Sequence, residues 1–297
     1  ESAREYTGED GPLDLVFPFE HVQVDFGPNG RWDVGEWTLP ELKSVLDRWQ
    51  RGLADDWWTT LFFENHDQPR SVSRFGDDEA YHYESATAFA TALLTLRGTP
   101  FVYQGQELGM TNTAFETLDD VADVDTVRNV RELMADGAFE EYQDVRHVVE
   151  ARSRDNARTP MQWTDGRHAG FTDGDPWLPV NDDYEVVNAA RERERTPSVL
   201  SYYRTLIDVR GGSEPLQHGA YELYYPDDEQ LYVYERSLDD ERVAVVLNLS
   251  NESRGVEVDP VAASASLLLG NYESVPEAPG EPFELRPYEA RLYADSR

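Results

Sequence analysis

The sequence predicts two parts: an α/β region with parallel strands covered by helices, then an all-β region. Three observations carry this. Short apolar runs alternate with amphipathic helical patterns through about residue 210. From about Gly219 the pattern changes to strand-like runs separated by turn signals. Hydrophobic residues make up 39% of the 297 residues, and aromatic residues are plentiful, so a packed core can form.

The elements follow in order. Leu13 to Phe19 is a short apolar run that suits a buried strand. Pro40 opens a helix whose Leu42, Val45, Leu46, Trp49 and Leu53 share one face. Thr59 to Phe63 reads as a second buried strand. A helix from about Glu79 to Leu96 follows, with Ala86, Phe89, Ala90, Leu93 and Leu94 inward and Gly98 as its stop. Phe101 to Tyr103 reads as a third short strand. A long polar stretch then runs from Gly105 to about Arg195 and is expected to be irregular and functional. Thr196-Pro197 caps another helix, with Val199, Leu200, Tyr203, Leu206 and Ile207 inward and Gly211-Gly212 at its end. The runs AYELYY, QLYVYER, ERVAVVLNLS and EARLYA complete the all-β region. Pattern alone leaves a closed barrel and an open sheet equally open for the α/β part.

Charge and composition exclude several functions. Acidic residues outnumber basic ones 59 to 26, and the net charge is −33. Nucleic acid and anionic membrane are therefore poor partners. The basic residues are almost all Arg, with Lys43 the one lysine. A surface this acidic repels itself in dilute buffer and is screened in molar salt, which predicts adaptation to a salty cytoplasm. Cysteine is absent, so disulfides, thiolate metal sites and thiol nucleophiles are excluded. No apolar run is long enough to span a membrane. The six His residues form no closed zinc pattern.

The segment Leu61 to Arg70, LFFENHDQPR, ends a buried strand and at once delivers Asn, His, Asp and Arg. Donors around one carboxylate suit a hydroxyl-rich ligand, and the carboxyl ends of parallel strands are where sites form. A turn or capping cluster uses the same residue types. A second polar segment, SRDNARTPMQW from Ser153 to Trp163, places Arg154 and Arg158 four apart. Guanidinium groups there can hold hydroxyls or carboxylates, or can belong to a structural ion-pair network.

Several segments together resemble glycoside hydrolase family 13, in its α-glucosidase and oligo-1,6-glucosidase branch. They are LVFPFEHVQVD, FENHDQPRSVSRFGDD, GTPFVYQGQELGMTN and SRDNARTPMQW, with HAGF and Pro176-Trp177 following in order. The resemblance covers roughly residues 1 to 210; beyond that it is one of type, with a closing LRPYEARLY.

The resemblance implies the C-terminal part of a (β/α)₈ TIM barrel, strands six to eight, over residues 1–212. A long insertion would occupy about 111–195, and a β-sandwich would occupy 213–297. It implies a retaining glycosidase acting on terminal α-glucosidic bonds of oligosaccharides or disaccharides, with the two working carboxyl groups about 5 Å apart. Asp67 maps to the family's third catalytic carboxylate, the transition-state stabiliser, and His66 to the neighbouring hydroxyl-binding histidine. Arg154 and Arg158 map to the same glucose site. No cofactor and no metal are expected in this chain; the family's calcium loop, nucleophile and acid/base map to the part preceding Glu1. The chain alone is therefore expected to be inactive. Val34-Gly35-Glu36 spells the family's general-acid motif but follows the strand-six segment, so Glu36 is expected to be a solvated loop residue. The alternatives are a sucrose isomerase or glucosyltransferase, a trehalose-phosphate hydrolase, or a non-catalytic relative.

Overall fold

The computed structural model describes residues 2–7, 11–52, 58–256, 264–276 and 283–296. Leu53, together with Gly8 and Glu9, lies outside the described residues. The first element is a short helix, α1 (Ser2–Thr7). The next segment corrects an expectation. Leu13 to Phe19 joins no ladder, and Leu13, Phe17 and Phe19 are exposed rather than buried. Its Val16 carbonyl accepts from Thr60 N (3.2 Å) and Thr60 Oγ1 (3.0 Å), and its Phe17 ring meets those of Phe62 and Phe101. A strand is buried only when neighbours cover both faces, and no described strand lies on its outer side.

A small hairpin, β1 (Phe26–Gly27) and β2 (Gly30–Val34), precedes helix α2 (Leu39–Gly52). On α2, Leu39, Leu42 and Leu46 are buried, as the three-and-four spacing requires. Then come β3 (Thr60–Leu61), α3 (Ser71–Phe75), α4 (His82–Thr95) and β4 (Thr99–Pro100). Strands β3 and β4 pair in parallel, Thr60 opposite Thr99. The ladder thus lies two residues before the expected Phe101–Tyr103 run, whose Phe101 and Val102 are exposed. Helix α4 is buried on nearly every side, from Ser85 to Thr95. Gly98 turns the chain from α4 into β4 with φ 141°, and a Cβ there would lie 2.8 Å from the Thr59 carbonyl.

The stretch from Gly105 to Arg195 is not merely irregular. It contains α5 (Val124–Ala135), α6 (Tyr142–Arg152) and α7 (Ala189–Glu194). Phe115, Val121, Val130, Val145, Val148 and Val149 form a core of their own there. Helix α8 (Val199–Gly211) is capped by Ser198, whose Oγ accepts from Ser201 N (3.0 Å), and not by Thr196-Pro197. Ile207 faces solvent, whereas Val199, Tyr202, Tyr203 and Leu206 are inward.

After α9 (Glu214–His218) come strands β5 (Ala220–Tyr224), β6 (Leu231–Leu238), β7 (Glu241–Asn248), β8 (Arg254–Val256), β9 (Ser266–Gly270), β10 (Phe283–Leu285) and β11 (Ala290–Ser296). Five form an antiparallel sheet in the order β5-β6-β7-β11-β9, and β8 pairs with β10. Alternation sorts the side chains to two faces. Leu231, Val233, Ala244 and Val246 pack with Val256 and Leu285 of the small sheet. Tyr232, Tyr234, Val245, Leu247 and Leu292 pack instead with Leu42, Phe89, Leu93 and Leu206 of the helical part. Burying each such side chain contributes about 1.5–3 kcal/mol, so this shared core fixes the sheet against the α/β part.

Candidate functional site

The site grows from the end of β3. Phe62 and Phe63 are buried, and the chain then turns at Asn65, whose Oδ1 accepts from Asp67 N (2.8 Å). That side-chain turn lifts His66 and Asp67 out of the core. Their side chains are 72% and 36% exposed, open enough to meet a ligand. Behind them sits fully buried Glu64, whose Oε2 accepts from Ser71 N (2.5 Å) and whose Oε1 lies 3.4 Å from Arg70 Nη1. Burial pushes the Glu64 carboxyl up, against the pull of Arg70. Arg70 also donates to the Gln104 carbonyl (2.8 Å), which ties the β3 end to the β4 end.

The second wall is the turn that opens at Ser153. Ser153 Oγ accepts from Asp155 N (3.2 Å) and starts a 3₁₀ turn, Arg154–Ala157, with Arg158 at its end. Tyr103 Oη donates to the Ala157 carbonyl (3.0 Å), which fixes this turn beside β4. The two arginines then converge on one carboxylate. Arg158 Nη2 is 2.6 Å from Asp67 Oδ1, and Arg158 Nε donates to the His66 carbonyl (2.9 Å). Arg154 Nη1 lies 3.6 Å from the same Oδ1, and His66 Nε2 lies 3.4 Å from Oδ2. The structure thus brings together all four residues singled out in the sequence: His66, Asp67, Arg154 and Arg158.

It also adds residues that the sequence reading missed. Asp25, just before β1, holds two buried guanidiniums: Arg74 (2.6 and 2.8 Å) and Arg152 (2.5 Å). Burial raises the Asp25 carboxyl, but the two arginines together hold it below its ordinary range. Arg31 of β2 donates to the Arg152 carbonyl (2.8 Å) and the Asp67 carbonyl (3.3 Å), under the site. Asp123 binds Arg154 at 2.5 Å. Burial opposes its charge, yet Arg154 and Thr126 bring its carboxyl down to about 2. One available signal was the pattern Val127, Val130, Met134 after Asp123, which spells a capped helix. His21 lies behind the site, its Nε2 2.5 Å from the Phe62 carbonyl, and burial lowers it to about 4. Glu36 is exposed in the loop between β2 and α2. Among the described residues, no group of three or more His, Cys, Asp or Glu is arranged to hold a metal, and no helix is long and apolar enough to cross a membrane.

One carboxylate, flanked by an imidazole and two guanidiniums, lies just past the carboxyl end of β3, the end of parallel strands where α/β barrels carry their sites. Comparison with known proteins gives the family. The chain belongs to the α-amylase family, glycoside hydrolase family 13: the α-amylase catalytic-domain model matches residues 1–219, and the maltogenic amylase C-terminal domain model matches residues 221–292. It is 43% identical over 296 residues to an oligo-1,6-glucosidase of Halalkalibacterium halodurans, covering 99% of this chain and 52% of that protein. It is 38% identical to a trehalose-6-phosphate hydrolase of Bacillus subtilis, covering 97% of this chain and 52% of that protein. Among solved structures, trehalose-6-phosphate hydrolase from Bacillus licheniformis superposes with a TM-score of 0.92 at 35% identity, over 100% of this chain and 54% of that one. A trehalulose synthase from Pseudomonas mesoacidophila superposes with a TM-score of 0.89 at 38% identity, over 95% of this chain and 51% of that one. The chain spans about half the length of the curated relatives it matches. The fold is thus part of a TIM-barrel enzyme with a C-terminal sheet domain.

Proposed function

We propose that the protein carrying this chain is a retaining α-glucosidase that hydrolyses terminal α-glucosidic bonds of oligosaccharides. One observation carries the reading: His66, Asp67, Arg154 and Arg158 meet within 2.6–3.6 Å at the strand ends. Asp67 is the transition-state stabiliser. Its carboxylate accepts hydrogen bonds from two neighbouring hydroxyls of the glucose being cleaved, and these strengthen as the ring flattens toward the oxocarbenium-like state. His66 donates to the same sugar. Arg158 orients the carboxylate, and Arg154 flanks it. This chemistry runs on carboxylates and bound hydroxyls, and we propose no cofactor for it. The domain division at about residues 212 and 213, a cytoplasmic location and salt adaptation belong to the same proposal. They rest on the change of pattern, the lack of cysteine and the net charge of −33.

The test is Asp67→Asn in the whole gene product, assayed on an α-1,6-linked glucose disaccharide and on a chromogenic α-glucoside. Removing the charge should lower kcat on the order of 10³-fold, in the range seen when a group that stabilises transition-state charge is lost, with an unchanged fold. Near-wild-type turnover would overturn the assignment. The solved relatives named above favour one second reading, a glucosyl-transferring or phosphate-sugar activity. Product analysis with sucrose and trehalose 6-phosphate distinguishes it.

A further inference from the structure

The Arg154 guanidinium has two carboxylates within reach, and the structure divides it unequally between them. Its Nε and Nη2 both point to Asp123 Oδ1, at 3.1 and 2.5 Å, while Nη1 stops 3.6 Å from Asp67 Oδ1. Asp123 is the N-cap of α5. Its Oδ1 accepts from Asp125 N (3.3 Å), and its Oδ2 accepts from Thr126 N (3.2 Å) and Thr126 Oγ1 (2.6 Å). Its side chain is 1% exposed. The backbone amides of Ala122 and Asp123 in turn donate to Asp155 Oδ2, at 2.7 and 2.8 Å. Two segments about thirty residues apart therefore clamp each other: Asp155 grips the backbone before α5, and Asp123 grips Arg154 beside Asp155.

Capping alone does not explain a charged residue here. A helix N-cap is served equally well by neutral Asn. The buried negative charge at position 123 has a second partner, and that partner is Arg154. Without Asp123, a permanently charged guanidinium would have Asp67 as its nearest carboxylate. Asp67 Oδ1 already receives Arg158. A second guanidinium closing on it would occupy lone pairs that sugar hydroxyls need.

We propose that Asp123 is a positioning residue for glucoside turnover: it holds Arg154 side-on against Asp67 and keeps it from closing onto that carboxylate. This rests on the α-glucosidase reading above. The test is a double-mutant cycle in the whole gene product with Asp123→Asn, Arg154→Ala and the combination. Asn retains the cap but not the ion pair to Arg154, so the melting temperature should fall by a few degrees with the protein still folded. Asp123→Asn should lower kcat/KM for a chromogenic α-glucoside on the order of a hundredfold, as for a small misplacement of a binding group. In the Arg154→Ala background the same change should have little further effect. Equal losses in both backgrounds, or wild-type kinetics in Asp123→Asn, would overturn the proposal. Glucose binding to the same four proteins, measured by calorimetry, reads the clamp without turnover: non-additive losses support it, and additive ones sink it. A wild-type protein that binds glucose but hydrolyses no α-glucoside would refute the activity and leave this coupling to decide the clamp.

Discussion

Positive charge is handled in two different ways beneath the candidate site and at the junction with the C-terminal sheet. Beneath the candidate site, buried guanidiniums are matched to carboxylates, Arg74 and Arg152 to Asp25 and Arg70 to Glu64, and half-buried Arg154 is matched to Asp123. Where the helical part meets the C-terminal sheet, buried cations instead face backbone carbonyls. Arg236 donates to the carbonyls of Thr95 (2.5 Å), Leu216 (3.0 Å) and Gly219 (2.8 Å). Half-buried Arg210 reaches those of Leu94, Leu96 and Gly98. Lys43 of α2 reaches those of Tyr225 (2.6 Å), Asp228 (2.5 Å) and Leu231 (3.0 Å). The difference teaches what each region needs. A site that must present one free carboxylate has to neutralise the others around it. A junction only has to stitch strand and helix ends together, and a cation with several donors serves several carbonyls at once.

The largest effect should come from breaking a carboxylate-matched cluster. Asp25→Asn leaves Arg74 and Arg152 buried without their counter-charge, which should cost about 3–5 kcal/mol in denaturant unfolding. A loss below 1 kcal/mol would show that carbonyls such as that of Val22, which Arg74 reaches at 2.6 Å, already suffice, and the contrast would collapse. Titration comes next, with two windows of one sign. His21 is lowered from 6.5 to about 4 by burial. A base with a depressed folded pKa is favoured neutral, so stability should fall by about 3 kcal/mol as pH drops from 6.5 to 4. Burial also lowers Lys43, from 10.5 to about 8, against the pull of Asp228 and Asp227. Relative to Lys43→Met, stability should therefore rise as pH climbs from 8 toward 10.5. Melts of the two proteins across pH check both windows. At neutral pH, Lys43→Met should itself cost about 1–3 kcal/mol, because three carbonyls lose their donor. The smallest effect should be salt: molar potassium chloride shortens the range of surface repulsion to about 3 Å and should raise the melting temperature by a few degrees. It should not rescue Asp25→Asn, whose charges are shielded from solvent ions. A melting temperature independent of salt would remove the salt-adapted reading.

What the sequence made legible follows from which signals are local. His66 and Asp67 stood out because a buried strand ends in polar residues at once. Helices α2 and α4 stood out because their apolar spacing is dense, and strands β6, β7 and β11 because they alternate. Helices α5 and α6 were obscured by charge: Val127 and Val130, and Val145, Val148 and Val149, carry the helical spacing, but Arg, Asp and Glu crowd between them. The Leu13–Phe19 run misled because its apolar character reports what should cover it, not what does. The pairings of Asp25, Asp123 and Lys43 were invisible for another reason. Their partners lie 127, 31 and more than 180 residues away, and no pattern along the chain encodes such pairings.

Lys43 has a further, practical consequence. Among these 297 residues it carries the one side-chain amine, and that amine is enclosed between the helical part and the turn joining β5 to β6. Amine-directed reagents therefore find no lysine on the folded surface. Acylation of Lys43 would signal the moment at which the sheet parts from α2, making a single residue an internal chemical clock for opening of the junction.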